Sequence, residues 1–121
     1  MDAVAALFTL YHYEDPAAPI KEARRVLRPG GIFAACAPNR DSHPELAGVR
    51  PNWGEASTFD GEDAPAIVAS VFSAPSDDVA VDPWDGPLVT LSSAADGAAS
   101  LDLPLTLTAR GCVVYATKAV A

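Results

Sequence analysis

The sequence predicts an α/β fold built on an open, mainly parallel sheet, and three stretches carry that prediction. "DAVAALFTL" (Asp2 to Leu10) is almost uninterrupted apolar sequence, "EARRVLRPGG" ends an amphipathic helix on a hard stop, and "IFAACAP" (Ile32 to Pro38) is a second apolar run. Strand, helix and strand in so short a distance make a βαβ unit, with parallel strands and a right-handed crossover. The chain has 121 residues, half of them apolar. That suits one domain with a buried core and argues against intrinsic disorder.

Asp2 to Leu10 is short and carries β-branched and aromatic members, as a strand buried on both faces does. In "YHYEDP", Asp15 is the expected N-cap and Pro16 the first helical residue. Ile20, Ala23 and Leu27 follow at helical spacing, widened by Val26, while Lys21, Glu22, Arg24, Arg25 and Arg28 take the wet side. Pro19 falls in or just past the first turn, where it is tolerated, and Pro29-Gly30-Gly31 ends the helix.

The polar segment from Asn39 to Thr58 is long and rich in Pro and Gly, a length often used for lids or binding loops. A second helix is expected over Asp63 to Phe72, with Ile67, Val68, Val71 and Phe72 in one stripe. Asp60 and Asp63 are alternative caps, and Pro65 favours Asp63. "DVAVDPW" reads as a strand in which Pro83 signals an edge or an end. A small-residue connector from Ser92 to Ser100 has no pattern, and "GCVVYATK" (Gly111 to Lys118) is a final strand.

Net charge is −8, so the surface repels phosphate backbones and no nucleic-acid partner is expected. Cys36 and Cys112 lie in apolar runs and read as buried, reduced thiols. Met1-Asp2 places an acid where the basic region of a signal peptide belongs, and no apolar run approaches the roughly 20 residues of a membrane helix. A cytoplasmic protein with no membrane partner is expected. No CxxC or HExxH motif supports a metal site, and Gly30-Gly31 lacks the context of a phosphate-binding loop. Asp41-Ser42-His43 holds the letters of a catalytic triad, but triad members normally meet from distant positions. Asp77, Asp78, Asp82 and Asp85 read as a solvated strand face.

The combination is more specific than any part. "DAVAALFTLYHYEDPAAPIKEARRVLRPGGIFAACAPNR" resembles the class I S-adenosylmethionine-dependent methyltransferases of the small-molecule "type 11" kind. The matching pieces are Asp2 to Leu10, His12, Asp15-Pro16, Ala23 to Gly31 and Ile32 to Pro38. "STFDGEDAPAIVASVF" and "LTLTARGCVVYATK" look like that family's next helix and last strand.

The resemblance implies the last four strands of a Rossmann-like methyltransferase sheet, the final strand antiparallel, with flanking helices. It places residues 1–121 as the C-terminal part of the domain, without the N-terminal cofactor-binding half. The family's glycine-rich loop and ribose-holding acid have no counterpart in this sequence. Ligands of doubly wound sheets sit beyond the carboxyl ends of the strands. The resemblance therefore assigns Thr9, Leu10, Tyr11 and His12 to the S-adenosylmethionine side, and Arg40, Asp41, His43 and Trp53 to the side of a small-molecule substrate. For Trp53 and Phe59, plugging the core is the favoured alternative to lining a pocket. The rival reading is a non-catalytic half-domain or relic that self-associates, or joins a complementary N-terminal half, through its open sheet edge. A hydrolase or reductase is disfavoured because neither a nucleophile elbow nor a dinucleotide fingerprint occurs.

Overall fold

The computed structural model describes residues 1–48, 53–55, 57–91 and 105–120. Its elements are β1 (Ala3–Leu7), α1 (Ala17–Val26), β2 (Ile32–Pro38), α2 (Ala64–Val71), β3 (Asp78–Leu91) and β4 (Leu105–Thr117). Single turns of 3-10 helix occur at Leu10–His12 and Pro44–Leu46. The connector from Ser92 to Ser100 lies outside the described residues.

The strand order is β1-β2-β4-β3. β1 and β2 pair in parallel, from Ala3 opposite Ile32 to Leu7 opposite Cys36. β4 is antiparallel to both its neighbours, so β1, β2 and β3 share one direction and the last strand alone is reversed. Pro83 sits on the outer strand β3, where a missing N–H costs no ladder bond. The β3–β4 pairing is longer than the sequence signals: it runs from Asp78 opposite Thr117 to Leu91 opposite Leu105, with one irregularity between Pro87 and Val89.

Side chains alternate across a strand, and here the alternation separates a covered face from an open one. Toward the helices, β2 buries Phe33, Ala35 and Ala37 and β4 buries Cys112, Val114 and Ala116. Ile20, Ala23 and Leu27 from the α1 segment and Ala64, Val68 and Phe72 from the α2 segment complete this core. Phe33 and Phe72 stack with centroids 5.8 Å apart, and burying one such ring contributes about 1.5–3 kcal/mol. On the other face Leu7, Ile32 and Tyr115 stay 56%, 47% and 42% exposed.

Several boundaries and roles differ from the sequence reading, each for a local reason. β1 stops at Leu7 because Phe8 turns to φ 54°. Asp15 Oδ1 does accept the Ala17 N–H, at 3.2 Å, but the helix begins one residue later, with Pro16 at the N-cap position. α2 follows Asp63 as expected, yet the capping oxygen belongs to Asp60, whose Oδ1 accepts the Asp63 N–H at 3.1 Å. At the far end of α1, Lys118 Nζ donates to the carbonyls of Arg24 and Leu27 at 2.9 and 2.8 Å. That arrangement satisfies two of the orphan acceptors every helix terminus leaves.

Asp77 is not solvated: its side chain is wholly buried and pairs with Arg24, which therefore leaves the wet face. Asp78, Asp82 and Asp85 are exposed. Cys36 and Cys112 are free thiols, and burial pushes both above the ordinary thiol range. Among the described residues no helix is long and apolar enough to cross a membrane.

Candidate functional site

Because β1 and β2 run parallel, the segments leaving their carboxyl ends meet at one rim. Phe8 breaks β1, and the turn Leu10–His12 follows. Leu10 is buried in the core. Tyr11 is half-buried, with the ring of exposed His12 tilted against it at 4.5 Å. Thr9 is exposed. Thr58 Oγ1 donates to the Tyr11 carbonyl at 3.3 Å, joining this segment to the one ahead of α2.

Beyond β2, residues 39–45 run alongside the first half of β4 and bond to it. Asn39 N–H donates to the Arg110 carbonyl and His43 N–H to the Thr108 carbonyl, both at 2.7 Å. In return Arg110 N–H donates to Ser42 Oγ at 3.0 Å, and Thr108 donates through N–H and Oγ1 to Glu45 at 2.7 and 2.8 Å. The Thr108 N–H holds the Glu45 carboxyl below its usual range, against the opposing effect of burial. Reaching this register puts His43 in the left-handed region at φ 56°.

Arg40 is held by three carboxylates: Asp60 at 3.0 Å, Glu62 at 3.4 Å and Asp63 at 3.1 Å. Its guanidinium is raised above the ordinary value, first by the hydrogen bond to Asp60. Asp41 sits 3.4 Å from Arg110. Trp53 Nε1 donates to the carbonyls of Ser42 and His43, each at 3.0 Å. Phe59 is the core plug, fully buried, whereas Trp53 is only half-buried and faces the rim.

These placements leave a cavity of about 280 Å³ whose walls include Tyr11, Arg40, His43, Trp53, Glu55 and Asp60. Four of the eight residues singled out from sequence therefore meet around one space. Thr9, Leu10, His12 and Asp41 do not line it. A larger cavity of about 640 Å³ opens on the uncovered sheet face and shares Pro38, Ser42 and His43 with the first. Its Phe8, Trp84 and Arg110 were not assigned a site role from sequence, and Asp85 was read only as part of a solvated strand face. The one usable signal was Gly111 inside an apolar strand, which marks a close approach by another group. A Cβ there would lie 2.4 Å from the Trp84 ring and 2.5 Å from the Ala37 carbonyl. Among the described residues, no group of three or more His, Cys, Asp or Glu is placed to hold a metal ion.

Residues 1–35 match the family described as a methyltransferase domain. Two solved structures are similar to this chain in fold. One is a SAM-dependent methyltransferase from Thermotoga maritima, for which histamine N-methylation has been suggested: 20% identity, TM-score 0.51, covering 97% of this chain and 55% of that one. The other, described as a methyltransferase, is from Bacillus halodurans C-125: 11% identity, TM-score 0.57, covering 98% and 64%. The fold is a methyltransferase fold. The chain spans a little over half the length of these two structures. A search of curated proteins finds no match.

S-adenosylmethionine is the cofactor such a methyltransferase fold implies, and the residues at this rim fit only part of it. The carbonyls of Thr9 and Leu10 already accept the N–H groups of His12 and Tyr13 at 3.1 Å each. The close approach at Gly61 is filled by Asn39, whose Oδ1 would meet a Cβ at 1.7 Å. What remains for one end of the molecule is the Thr9 and His12 side chains and the Tyr11 ring.

Proposed function

We propose that this chain is the C-terminal part of an S-adenosylmethionine-dependent methyltransferase acting on a small-molecule acceptor in the cytoplasm. The observation that carries this reading is the convergence of Tyr11, Arg40, His43 and Trp53 on one cavity beyond the strand carboxyl ends. That is where ligands sit in doubly wound sheets. The family match over residues 1–35 and the shared fold support it.

In this reading Thr9, Tyr11 and His12 face the methionine end of the cofactor, and Leu10 is buried in the core with its carbonyl engaged. Trp53, Arg40 and His43 bound the acceptor side, with Trp53 pinned by its two carbonyl bonds and Arg40 by its three carboxylates. Asp41 stands outside this wall, paired with Arg110. Methyl transfer needs the acceptor held at a near-attack distance of about 3–3.5 Å from the methyl group, and this reading gives that task to these walls. A second reading is a half-domain that associates through its β1 edge, and the exposed Leu7 on that outer strand favours it.

The test is transfer of a tritiated methyl group from S-adenosylmethionine to a panel of small amines, phenols and carboxylates. It is run with this chain alone and with the polypeptide encoded directly upstream added. Label transfer that requires the added polypeptide supports the methyltransferase reading. Tight association of the two without any transfer supports the half-domain, and neither transfer nor association refutes both.

A further inference from the structure

Trp53 offers only carbon surface to the 280 Å³ cavity it lines, because its one polar atom is committed elsewhere. Nε1 donates to the carbonyls of Ser42 and His43, each at 3.0 Å. His43 supplies its carbonyl from left-handed backbone, at φ 56°. Such strain costs free energy and tends to cluster at ligand sites. Half-buried Tyr11 and Pro38 add further ring surface to the same walls. A half-buried indole with its polar edge tied back leaves its π surface for stacking against another ring.

The charged walls favour a hydrogen-bond donor over an anion. Among the described residues, Arg40 is the one lysine or arginine lining the cavity, and its guanidinium already meets Asp60, Glu62 and Asp63. Glu55 also lines the cavity and has no ion-pair or hydrogen-bond partner among the described residues. Asp60 is 1% exposed. Its Oδ1 accepts from Arg40 Nη2 and from the Asp63 N–H. Its Oδ2 accepts no hydrogen bond, although Arg40 Nη2 lies 3.0 Å away. A ligand carboxylate would therefore meet two acids and a guanidinium that is already taken. An O–H or N–H would meet acceptors.

We propose that this cavity takes a molecule with one aromatic ring bearing a hydrogen-bond donor, a phenol in its neutral form. The ring lies against Trp53 and Tyr11, and the donor is directed to the carboxylates of Glu55 and Asp60. A cavity of about 150 Å³ already admits benzene, so a space of about 280 Å³ suits a single substituted ring. This rests on the methyltransferase reading, in which the cavity holds the acceptor, and names the acceptor's class.

The probes are 4-methylphenol, its methyl ether 4-methylanisole and the anion 4-methylbenzoate, titrated into the full chain near pH 7. Binding is read by ligand-observed NMR and by the indole N–H signals of the two tryptophans, told apart with Trp84→Phe. The phenol is expected to bind with a dissociation constant of about 1 mM or tighter and to shift the Trp53 signal. The ether, which lacks the donor, should bind about fivefold more weakly, and the anion about tenfold more weakly. Glu55→Gln, a change at an exposed position, should narrow the gap between phenol and anion several-fold. Trp53→Leu, with folding checked by thermal unfolding, should weaken the phenol about fivefold. Absence of saturable phenol binding, equal or tighter binding of the ether or the anion, or a shift confined to the Trp84 signal would overturn the proposal. Phenol binding without label transfer to any acceptor would sink the methyltransferase reading and leave this site standing. Transfer to carboxylates alone would do the reverse.

Discussion

Arg24 on α1 grips Asp77, the residue before β3, through two hydrogen bonds of 3.0 Å, Nε to Oδ2 and Nη2 to Oδ1. The same carboxylate accepts the N–H groups of Ala74 at 3.2 Å and Ala119 at 2.7 Å. One buried acid thereby joins α1, the turn after α2 and the segment after β4.

Stability should depend on this carboxylate in a pH-specific way. The Arg24 hydrogen bonds lower the Asp77 pKa, outweighing the upward push of burial, and the Ala119 and Ala74 N–H groups add to the lowering. A carboxyl with a depressed folded-state pKa stabilises the fold above its unfolded value of about 3.9, and the contribution is lost as pH falls through the folded value. Asp77→Asn should cost about 3 kcal/mol at pH 7, measured by urea unfolding. The gap between the two proteins should narrow at pH 3. A gap independent of pH would contradict the assignment.

Arg40 provides a second test, because its three acidic partners give it a structural task. Arg40→Gln leaves Asp60, 1% exposed, without its cation. It should destabilise the chain by about 2 kcal/mol in thermal or urea unfolding. An unchanged midpoint would return Arg40 to the role of a free substrate-side group.

Local patterns made much of this legible. The apolar runs of β1 and β2, the Ile20–Ala23–Leu27 stripe and the glycine stop gave the βαβ unit, and Pro83 marked an outer strand. What escaped depends on partners far along the chain. Nothing near Asp77 announces Arg24, 53 positions away. Nothing near Ser42 or Glu45 announces that Arg110 and Thr108 will bond to them. Trp53 lies beside Tyr11, Arg40 and His43 and does not plug the core, the favoured expectation, which Phe59 alone fulfils. The second cavity stayed hidden because its walls come from residues no shared motif connects.

Binding of S-adenosylmethionine to this chain alone is expected to be weak or absent. The sequence holds no glycine-rich cradle, and the carbonyls nearest the rim are already engaged. Isothermal titration should give no saturable heat. A dissociation constant in the low micromolar range, about −8 kcal/mol, would show that the rim suffices.

Self-association is the expected behaviour of the open edge. Leu7 lies on the outermost described strand, 56% exposed, beside the apolar open face, and such edges template pairing. Sedimentation velocity should show dimers or larger species at tens of micromolar. Leu7→Lys should weaken association about tenfold or more, with little change in unfolding midpoint. A cooperative monomer for the unmodified chain would end this expectation.

The loop stitched along β4 carries a consequence for hydrogen exchange. The amide protons of Thr108 and Arg110 point away from β3 and are held by the side chains of Glu45 and Ser42. Their neighbours on β4 farther along are held by β2. Exchange at Thr108 and Arg110 therefore reports excursions of residues 39–45 alone, while exchange in the β2-paired half reports opening of the sheet. Two labels on one strand then time two separate events: the breathing of the cavity wall and the unfolding of the domain.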